Sequence, residues 1–333
     1  MTLPDKLAPE LLYLFVLGPG YGESILLRVP PDKWIVVDSF VNNDFPAAQD
    51  LLDNYDGDLA AVVVTHPHED HYPGIIELLD ENPFEKIGAV HPERAETTSG
   101  VTVNPLKMLR NKAKNTHDRV WYEWGKDTTK KWWTFRNSNY SVCNASLTSL
   151  HPNQPTTANE WSGTDPNEIS SALFVEWESV RLLLGADVTT SWPEIKVQFP
   201  DISKHIAMKV PHHGTEKADY SVFASAARDR VWIATPYSKN KGLPQAKSGH
   251  GLDKILKIVD SVHLTSLPYS HDRENEAPCS TTRAEIETDT KPAFQGPPST
   301  EPHERAERYI VVSFDADGNL VDRIYGKGTL TVS

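Results

Sequence analysis

The stretch Thr65-His66-Pro67-His68-Glu69-Asp70-His71 contains three imidazoles and one ligand-type carboxylate within six consecutive positions. It directly follows Leu59–Val64, an apolar run rich in β-branched residues and without helical periodicity, which predicts a buried β-strand. A strand that ends in such a turn presents two sets of ligand side chains at neighbouring points. Imidazole nitrogen and carboxylate oxygen are ordinary ligands of Zn²⁺ and also suit Fe and Mn. We therefore predict a metal site here, rather than a surface loop that happens to be rich in histidine.

Other predicted strands also end in residues that can bind or support a metal. Two of these residues have an ordinary alternative role: Asp187 could cap a helix over Thr189–Lys196, and His151 could be a hydrogen-bonded loop histidine. The recurrence of such residues at strand ends favours one shared site. The strands and the residues that follow them are Trp34–Val37 with Asp38, Tyr140–Leu150 with His151, Val180–Ala186 with Asp187, and His205–Val210 with Pro211, His212 and His213.

The spacing His-x-His-x-Asp-His resembles the signature of the metallo-β-lactamase superfamily, and the later strand ends follow in that family's order. The resemblance implies an α/β fold, a four-layer αβ/βα sandwich with two metal ions at one edge between two sheets, ~3.5–4 Å apart as in two-metal hydrolases. We name the two positions site one and site two. The implied ligands are His66, His68 and His151 in site one, Asp70, His71 and one of His212 or His213 in site two, and Asp187 as the bridge.

Either of the neighbouring histidines His212 and His213, which follow the predicted strand His205–Val210, could be the ligand in site two. Family members carry a His, one variable residue and a Ser or Thr after this strand, and His213-Gly214-Thr215 resembles that pattern. The resemblance therefore favours His213 as the ligand. His212 would then be a proton donor or anion contact at the open face, or a hydrogen-bond partner within the site. Asp38 resembles the family's first motif, an Asp that supports the metal ligands from behind.

Residues 101–140 differ in charge from the rest of the chain. The whole chain has a net charge of −13, which argues against a nucleic-acid clamp over its entire surface. This insert, however, holds nine Lys or Arg against three acidic residues, and four of the nine Trp. Basic side chains interleaved with aromatic rings suit a phosphate backbone and stacked bases, so the insert is a candidate contact for DNA or RNA. The alternative is a helix near 105–115 with a solvated basic face, followed by Trp residues that pack on the domain.

The remaining sequence alternates predicted strands and helices in two halves. We expect a hydrolase domain over residues 1–268, a long mobile loop over the Pro/Thr/Glu/Ser-rich residues 269–308, and a hairpin over 309–333 that returns to the domain. Helices are expected near 45–54, 74–81, 190–198, 219–227 and 251–260.

Composition favours a cytoplasmic protein with no membrane contact. No apolar run approaches the ~20 residues of a membrane span, and the N-terminal residues lack the pattern of a signal peptide. The two cysteines, Cys143 and Cys279, provide no disulfide framework. A reducing compartment is therefore the simplest expectation.

A narrower resemblance concerns the reaction. Asn167-x-x-Ser170 together with His212-His213-Gly214-Thr215 resembles the metallo-hydrolase domain of bacterial competence DNA-channel proteins, a group similar to phosphorylcholine esterases. It implies a phosphodiesterase or nuclease with two divalent ions, Zn²⁺ favoured and Mn or Fe as alternatives. A metal-bridging hydroxide, oriented by Asp70, would attack the substrate.

Several roles and functions stay open from the sequence. His212 would protonate the leaving oxygen, and Tyr237 and His250 are candidate substrate contacts with an ordinary loop role as their alternative. The same metal site would also suit hydrolysis of a small ester, lactone or thioester. A non-catalytic binding module is a third possibility, and the sequence leaves any protein partner unidentified.

Overall fold

Two β-sheets lie face to face in this protein, and helices cover their outer faces. The structure is a computed structural model. It describes residues 3–20, 22–42, 45–66, 68–82, 86–90, 120–124, 131–136, 144–151, 167, 170–237, 242–266, 279–288 and 308–333.

The first sheet has eight strands within the described residues. In their order across the sheet, the strands are β18 (Leu320–Tyr325), β17 (Tyr309–Phe314), β1 (Leu12–Leu17), β2 (Ser24–Val29), β3 (Lys33–Val37), β6 (Asp58–Val64), β7 (Lys86–Val90) and β8 (Val120–Trp124). The short strands β4 (Val41–Asn42) and β5 (Phe45–Pro46) pair with each other beside it.

The second sheet has nine strands in the described part of the chain. In their order across the sheet, they are β16 (Cys279–Thr281), β19 (Leu330–Val332), β15 (Val262–Leu264), β14 (Val231–Ala234), β13 (Ala207–Lys209), β12 (Val180–Leu184), β11 (Leu173–Trp177), β10 (Asn144–Ser149) and β9 (Lys131–Arg136).

Five α-helices are described, and short 3₁₀ turns connect several elements. Helix α2 (Pro73–Glu81) begins at a proline, whose fixed φ suits the first helical position. Its buried residues Ile75, Leu78 and Leu79 recur at helical spacing. Among the described residues, none of the helices has the length and apolarity that a membrane span requires. The helices are α1 (Gln49–Asn54), α2 (Pro73–Glu81), α3 (Trp192–Gln198), α4 (Gly251–Leu256) and α5 (Arg283–Thr288), and the turns are Pro200–Lys204, Pro211–Gly214 and Tyr220–Phe223.

Both faces of the central strands are buried, which explains why they are apolar throughout rather than alternating. In β3, Ile35 and Val37 join the core between the two sheets, whereas Trp34 and Val36 join the core that includes residues of α1 and α2. A third core packs α3 and α4 on the outer face of the second sheet. The layers are therefore helix, sheet, sheet, helix, which is the four-layer sandwich that the sequence predicts.

The parallel strands bring the predicted ligands to one edge. In the first sheet β3 runs parallel to β6, and in the second sheet β12, β13 and β14 are parallel neighbours. Because the carboxyl ends of parallel strands meet at one edge, the residues after β3, β6, β12 and β13 converge there. These are the segments that carry Asp38, residues 65–71, Asp187 and the His212-His213 pair.

Some predicted elements differ from the structure. The helix expected at 45–54 begins only at Gln49, because Phe45–Pro46 forms β5. Within the helix expected at 219–227 only the turn Tyr220–Phe223 forms, and residues 224–229 are exposed. The loop expected at 269–308 contains a strand and a helix at 279–288, anchored by the buried side chain of Ile286. Residues 269–278 and 289–307 of the expected loop lie outside the described residues.

The basic, Trp-rich insert contributes a strand to the end of each sheet. Val120–Trp124 extends the first sheet beside β7, and Lys131–Arg136 extends the second sheet beside β10. The helix expected near 105–115 lies outside the described residues. The insert is thus built partly into the two sheets.

Candidate metal centre

Asp38 lies at the base of the site and is fully buried. Its carboxylate accepts hydrogen bonds from the backbone N–H of Thr65 at 2.8 Å and from the Thr65 hydroxyl at 2.6 Å. The same carboxylate accepts a hydrogen bond from Nδ1 of His71 at 2.8 Å. Asp38 thus links the end of β3 to the ligand loop after β6, and it fixes the orientation of the His71 ring.

Four of the predicted ligand histidines share one orientation. Each directs Nδ1 at an oxygen of the surrounding fold, so that Nε2 is the nitrogen left to bind a metal. The Nδ1 partners are the Asp38 carboxylate for His71, the Thr65 hydroxyl at 3.0 Å for His66, the Ser170 carbonyl at 2.9 Å for His151, and the Thr235 carbonyl at 2.8 Å for His213.

One oxygen of Asp187 is the point on which the imidazoles converge. Asp187 is buried, and its backbone N–H donates to the Ser170 hydroxyl at 3.0 Å. The helix that follows begins only at Trp192, after Ser191, so Asp187 does not cap it. Its Oδ2 lies close to the Nε2 atoms of four histidines: His66 at 3.6 Å, His71 at 3.7 Å, His212 at 3.8 Å and His213 at 3.8 Å.

Site two is a cage of two carboxylates and two imidazoles. Asp70 Oδ2 lies 3.7 Å from Nε2 of His71 and 3.6 Å from Nε2 of His213, and Asp187 Oδ2 lies at similar distances from both rings. Four ligands at about 2.0–2.2 Å from a tetrahedral Zn²⁺ would be separated from one another by slightly less than these distances. The cage therefore has the size that such an ion requires.

Site one is formed around His66 and His68. Nε2 of His66 lies 3.0 Å from Nδ1 of His68, and these two rings and Asp187 each offer a ligand atom within 4.8 Å of the others. His151 is buried next to this group through Ser170, whose hydroxyl is 3.3 Å from Nδ1 of His66. The structure thus places His151 on the side of site one, although His66, His68 and Asp187 form the tight cluster.

Unsatisfied buried atoms fit a metal in site two. Nε2 of His71, Nε2 of His213 and Oδ1 of Asp187 are buried and have no hydrogen-bond partner within the described part of the chain. Buried polar atoms normally have such a partner. All three belong to groups that bind divalent ions when deprotonated, so the donor set matches the two-metal centre that the sequence implies.

When no metal is bound, the carboxylates of the site favour the protonated forms of the histidines in site two. Burial disfavours the charged form of His71, but the neighbouring carboxylates, above all Asp70, outweigh it and raise the pKa of His71 to about 10. His213 responds in the same direction: burial lowers its pKa, and Asp187 and Asp70 raise it overall. Burial and the charge of His71 hold the pKa of His66 well below its usual range.

The pKa values of the two carboxyl groups in the site, unlike those of His71 and His213, are lowered. Burial favours the neutral acid of Asp187, but the surrounding histidines, His212 first among them, keep its pKa well below the usual range. The pKa of Asp70 is also lowered, since the charges of His71 and His213 outweigh its burial. The two carboxylates that face the cage therefore stay ionised and attract a cation.

Left-handed backbone conformations turn the ligands into the site. Positive φ angles occur at Asp38 (56°), Ala186 (44°), His212 (42°) and His213 (53°). Residues other than glycine rarely adopt this conformation, and where they do it clusters at functional sites. The consecutive pair at the end of β13 lets His213 face Asp70 and the neighbouring His212 face Asp187 from the solvent side, where its side chain is 18% exposed.

The two candidate substrate contacts lie in different surroundings. The ring of Tyr237 stacks on His213, with centroids 5.0 Å apart and planes inclined by 23°, so it borders site two. His250 precedes α4, and its Nδ1 is 4.0 Å from Glu216. The structure therefore brings Tyr237 to the site and leaves His250 beside Glu216.

Sequence reasoning missed four polar residues that support the ligands. Ser170 had a signal, since it belongs to the Asn-x-x-Ser motif, but its contacts to both His151 and Asp187 were not foreseen. Glu23 and Thr235 carried no motif, and Lys209 begins the stretch that leads into His212-His213-Gly214-Thr215 but had no role assigned to it. They meet only because the two sheets pack together, and Glu23 and Lys209 form a fully buried ion pair behind site two.

Comparison with known proteins agrees with this geometry. The model of the metallo-beta-lactamase superfamily matches residues 17–124 of the chain, a segment that includes Asp38 and the ligand loop. This segment, about a third of the chain, is therefore similar to the superfamily. No curated protein gives a significant match, and the narrower likeness to competence proteins and phosphorylcholine esterases stays a prediction.

Solved structures, among them a metallo-beta-lactamase fold protein, resemble this chain at low sequence identity. YhfI from Bacillus subtilis is 10% identical, with 76% of this chain and 95% of that chain covered and a TM-score of 0.40. PqqB from Methylobacterium extorquens, a Zn²⁺-bound structure, is 12% identical, with coverages of 73% and 85% and a TM-score of 0.36.

A further likeness is to CmlA, a diiron beta-hydroxylase from Streptomyces venezuelae. It is 13% identical, with a TM-score of 0.37, and the match covers 65% of this chain but only 36% of that one. The chain therefore spans little more than a third of the length of this neighbour. None of these likenesses bears on the substrate of this protein.

Proposed function

We propose that this protein is a metal-dependent hydrolase with a binuclear centre, in which Asp187 bridges two divalent ions. The observation that carries the proposal is the convergence of four histidine Nε2 atoms, within 3.6–3.8 Å, on Oδ2 of this one carboxylate. Imidazoles on two sides of a shared carboxylate are what a two-metal site requires. A single structural ion would leave half of these nitrogens without a role.

The contacts support the following proposed assignment of ligands. Site one would use His66, His68 and His151, and site two would use Asp70, His71 and His213, with Zn²⁺ as the favoured ion. His213 is assigned in preference to His212 because its Nε2 also faces Asp70, at 3.6 Å. Two ions held there would lower the pKa of a bound water and stabilise negative charge on an oxygen of the scissile group.

The protein's own side chains would complete the chemistry. His212 lies at the solvent side of the centre and is only partly buried, so it can give a proton to the leaving oxygen and recover it from water. Asp70 has 13% of its side chain exposed and would orient the attacking water from site two. Tyr237 borders the same opening and would contact the substrate.

For the substrate we propose a phosphodiester. The support is the excess of nine basic over three acidic residues, with four Trp, in residues 101–140 of an otherwise acidic chain. Strands of this insert continue both sheets that carry the ligands. A basic, aromatic segment attached to a two-metal centre suits DNA or RNA, because cations neutralise phosphates and aromatic rings stack on bases.

A small carboxylic ester, lactone or thioester is the second candidate substrate. The same centre would stabilise the oxygen of a carbonyl as well as that of a phosphoryl group. The observation in its favour is the strongly acidic remainder of the chain, which carries −19 outside the insert and would repel a polyanion.

Hydrolysis of bis-p-nitrophenyl phosphate and of p-nitrophenyl acetate by the metal-loaded protein separates these candidates. We expect phosphodiester cleavage that Asp70→Ala abolishes, because the substitution removes a ligand of site two. Glu69→Gln is the matched control, since it removes the exposed neighbouring carboxylate and should retain wild-type turnover. Ester cleavage alone would support the second candidate, and inactivity on both substrates despite bound metal would contradict the hydrolase proposal.

The nucleic-acid step has its own test. If the insert binds phosphates, the affinity for single-stranded DNA or RNA falls as salt rises, by about 0.7 log units per log unit of salt for each phosphate contact. The double variant Lys126→Glu/Lys130→Glu should bind single-stranded DNA or RNA more weakly, and its affinity should depend less steeply on salt. Its turnover of bis-p-nitrophenyl phosphate should equal that of the wild type. A salt-independent affinity would contradict the role of the insert.

A further inference from the structure

A fully buried ion pair lies behind site two and joins the two sheets. Glu23 immediately precedes β2 in the first sheet, and Lys209 is the last residue of β13 in the second. The ammonium of Lys209 contacts Oε2 of Glu23, and both side chains are 0% exposed. The hydroxyl of Thr235 donates to the same oxygen at 2.8 Å.

The pair faces the rear of two ligand rings. Glu23 Oε1 lies 3.7 Å from Nδ1 of His71, and Glu23 Oε2 lies 3.7 Å from Nδ1 of His213. Both Nδ1 atoms already donate to closer oxygens, of Asp38 and of Thr235. Glu23 therefore faces the Nδ1 edge of both rings, and one of its carboxylate oxygens also lies within 4.8 Å of ligand atoms of His71, Asp187 and His213. Because the ring atoms nearest to Glu23 are these Nδ1 atoms, we treat it as a support of the rings rather than as a ligand.

The main chain ties this pair to the ligand loop as well. The backbone N–H of Glu23 donates to the carbonyl of Asp70 at 3.0 Å, and Lys209 immediately precedes the short run that ends in His212 and His213. A displacement of either charged residue would therefore move a ligand of site two. Glu23 thus contacts the ligand loop, the end of β13 and the residue that follows β14, three of the segments that build this site.

Stability alone does not explain such a pair. Lys and Glu are almost never fully buried unless they are paired, and well-packed apolar residues in place of a buried ion pair often leave a protein equally or more stable. Removing only one partner, in contrast, leaves an uncompensated charge in the core. A retained pair at this position consequently indicates a role that depends on its charges and on its contacts to the ligand rings.

We propose that Glu23 and Lys209 form a positioning pair for site two, which holds His71 and His213 with both Nε2 atoms directed at a single ion. This inference rests on the proposed two-metal centre. Glu23 provides negative charge behind both rings, and Lys209 neutralises it. Because Lys209 neutralises Glu23, no unpaired carboxylate behind the two rings competes with Asp70 and Asp187 for the metal ion.

The test measures Zn²⁺ binding by calorimetry and by metal analysis in the wild-type protein and in two substitutions, Glu23→Gln and Lys209→Met. Removal of a supporting partner typically weakens metal affinity by about 10–100-fold. We expect a loss of that size for the second ion, and little change for the first. The double substitution should recover thermal stability in the absence of metal without recovering the affinity for the second ion.

A milder pair of variants covers the case that the charge substitutions do not fold. Thr235→Val removes the hydroxyl that donates to Glu23 and that also lies 3.2 Å from Nδ1 of His213, and it keeps the closer Thr235 carbonyl that accepts from His213 at 2.8 Å. Thr265→Val is the matched control, since it also removes a buried hydroxyl bond between the sheets, from Thr265 to the Gly18 carbonyl at 2.6 Å. We expect weaker binding of the second ion in Thr235→Val, and similar stability but wild-type affinity in Thr265→Val.

The outcomes separate the two proposals. Wild-type protein that binds two ions, together with Glu23→Gln and Thr235→Val variants that bind both ions equally well, would overturn the positioning role and leave the hydrolase proposal standing. Wild-type protein that binds no second ion would overturn both. A loss of second-ion affinity in Thr265→Val as large as in Thr235→Val would show that lower stability is the cause, and would also overturn the positioning role.

Discussion

Nδ1 of His71 donates to Oδ2 of Asp38 at 2.8 Å, in a contact that is fully buried. The contact fixes which nitrogen of His71 faces site two, because a ring that donates from Nδ1 offers Nε2 to a metal. It also explains why a residue 33 positions away from His71 matters for the site. Thr65 stabilises the same carboxylate through two hydrogen bonds, so Asp38 cannot easily change its orientation.

Asp38→Asn should therefore weaken metal binding in site two. The amide keeps the shape of the carboxylate but loses its charge and accepts a weaker hydrogen bond from His71. We expect the affinity for the second ion to fall by about 10–100-fold, as for other partners of metal-bound histidines. Competition with a chromophoric Zn²⁺ chelator measures this affinity. Unchanged affinity in a folded Asp38→Asn protein would show that the contact does not orient the ligand.

Metal uptake should depend on pH because of His71. Its pKa in the metal-free site is raised to about 10, chiefly by the carboxylate of Asp70 acting against burial. At neutral pH the ring therefore carries a proton that an incoming metal must displace. Apparent affinity should rise by up to about tenfold per pH unit below that pKa. Zn²⁺ titrations in two buffers of different ionisation enthalpy count the protons released, and a count of zero would contradict the expectation.

Acid should destabilise the protein through His205, far from the ligands. This ring donates from Nδ1 to the Ile202 carbonyl at 2.6 Å and accepts from Trp232 at 3.0 Å, so it is held neutral. Burial and the charge of Arg230 lower its pKa to about 3, from an ordinary value of 6.5. Between these two values the unfolded chain binds a proton that the folded chain does not. The free energy of unfolding therefore falls as the pH falls through this window, by on the order of 1 kcal/mol per pH unit.

His205→Gln isolates this contribution. The variant should be less stable than the wild type near neutral pH, because it loses hydrogen bonds in the core, and its stability should decline less on acidification. Urea unfolding at several pH values between about 7 and 5 gives both quantities, and the other titrating groups cancel in the comparison. Parallel pH profiles for the two proteins would exclude His205 as the cause.

Tyr237 should act through its ring on His213 and through its hydroxyl on the substrate. Stacked aromatic rings contribute about 0.5–1.5 kcal/mol beyond the area they bury, so Tyr237→Ala should weaken the second metal by about 2–10-fold. Tyr237→Phe keeps the stack and should retain both metals while it raises KM. If Tyr237→Phe leaves KM unchanged at full metal content, the hydroxyl does not contact substrate.

The sequence predicts the strand ends well because short-range patterns determine them. An apolar, β-branched run such as Leu59–Val64 can only be a buried strand, and the ligand loop after it has a distinctive spacing. The residues at which helices begin and end are predicted less reliably from the sequence. The region around Tyr220 has helical composition, yet its residues 224–229 find no core to cover and stay exposed, so the chain forms one turn instead of a helix.

The support of the site could not be predicted from sequence because it depends on how the sheets pack. Glu23 lies in the first half of the chain and Lys209 in the second, and each resembles an ordinary surface charge until its partner is known. Residues 279–288 illustrate the same limit: their polar composition predicts a loop, but pairing with β19 and burial of Ile286 order them.

The most direct test of the account is the metal content of the wild type and of Asp187→Asn after equilibration with Zn²⁺ and removal of free ion. The bridging role of Asp187 predicts two ions per wild-type chain and at most one in the variant, with Glu69→Gln retaining two as the control. A folded, metal-supplemented wild-type protein with fewer than one ion per chain, or an Asp187→Asn protein that still binds two, would contradict the binuclear centre.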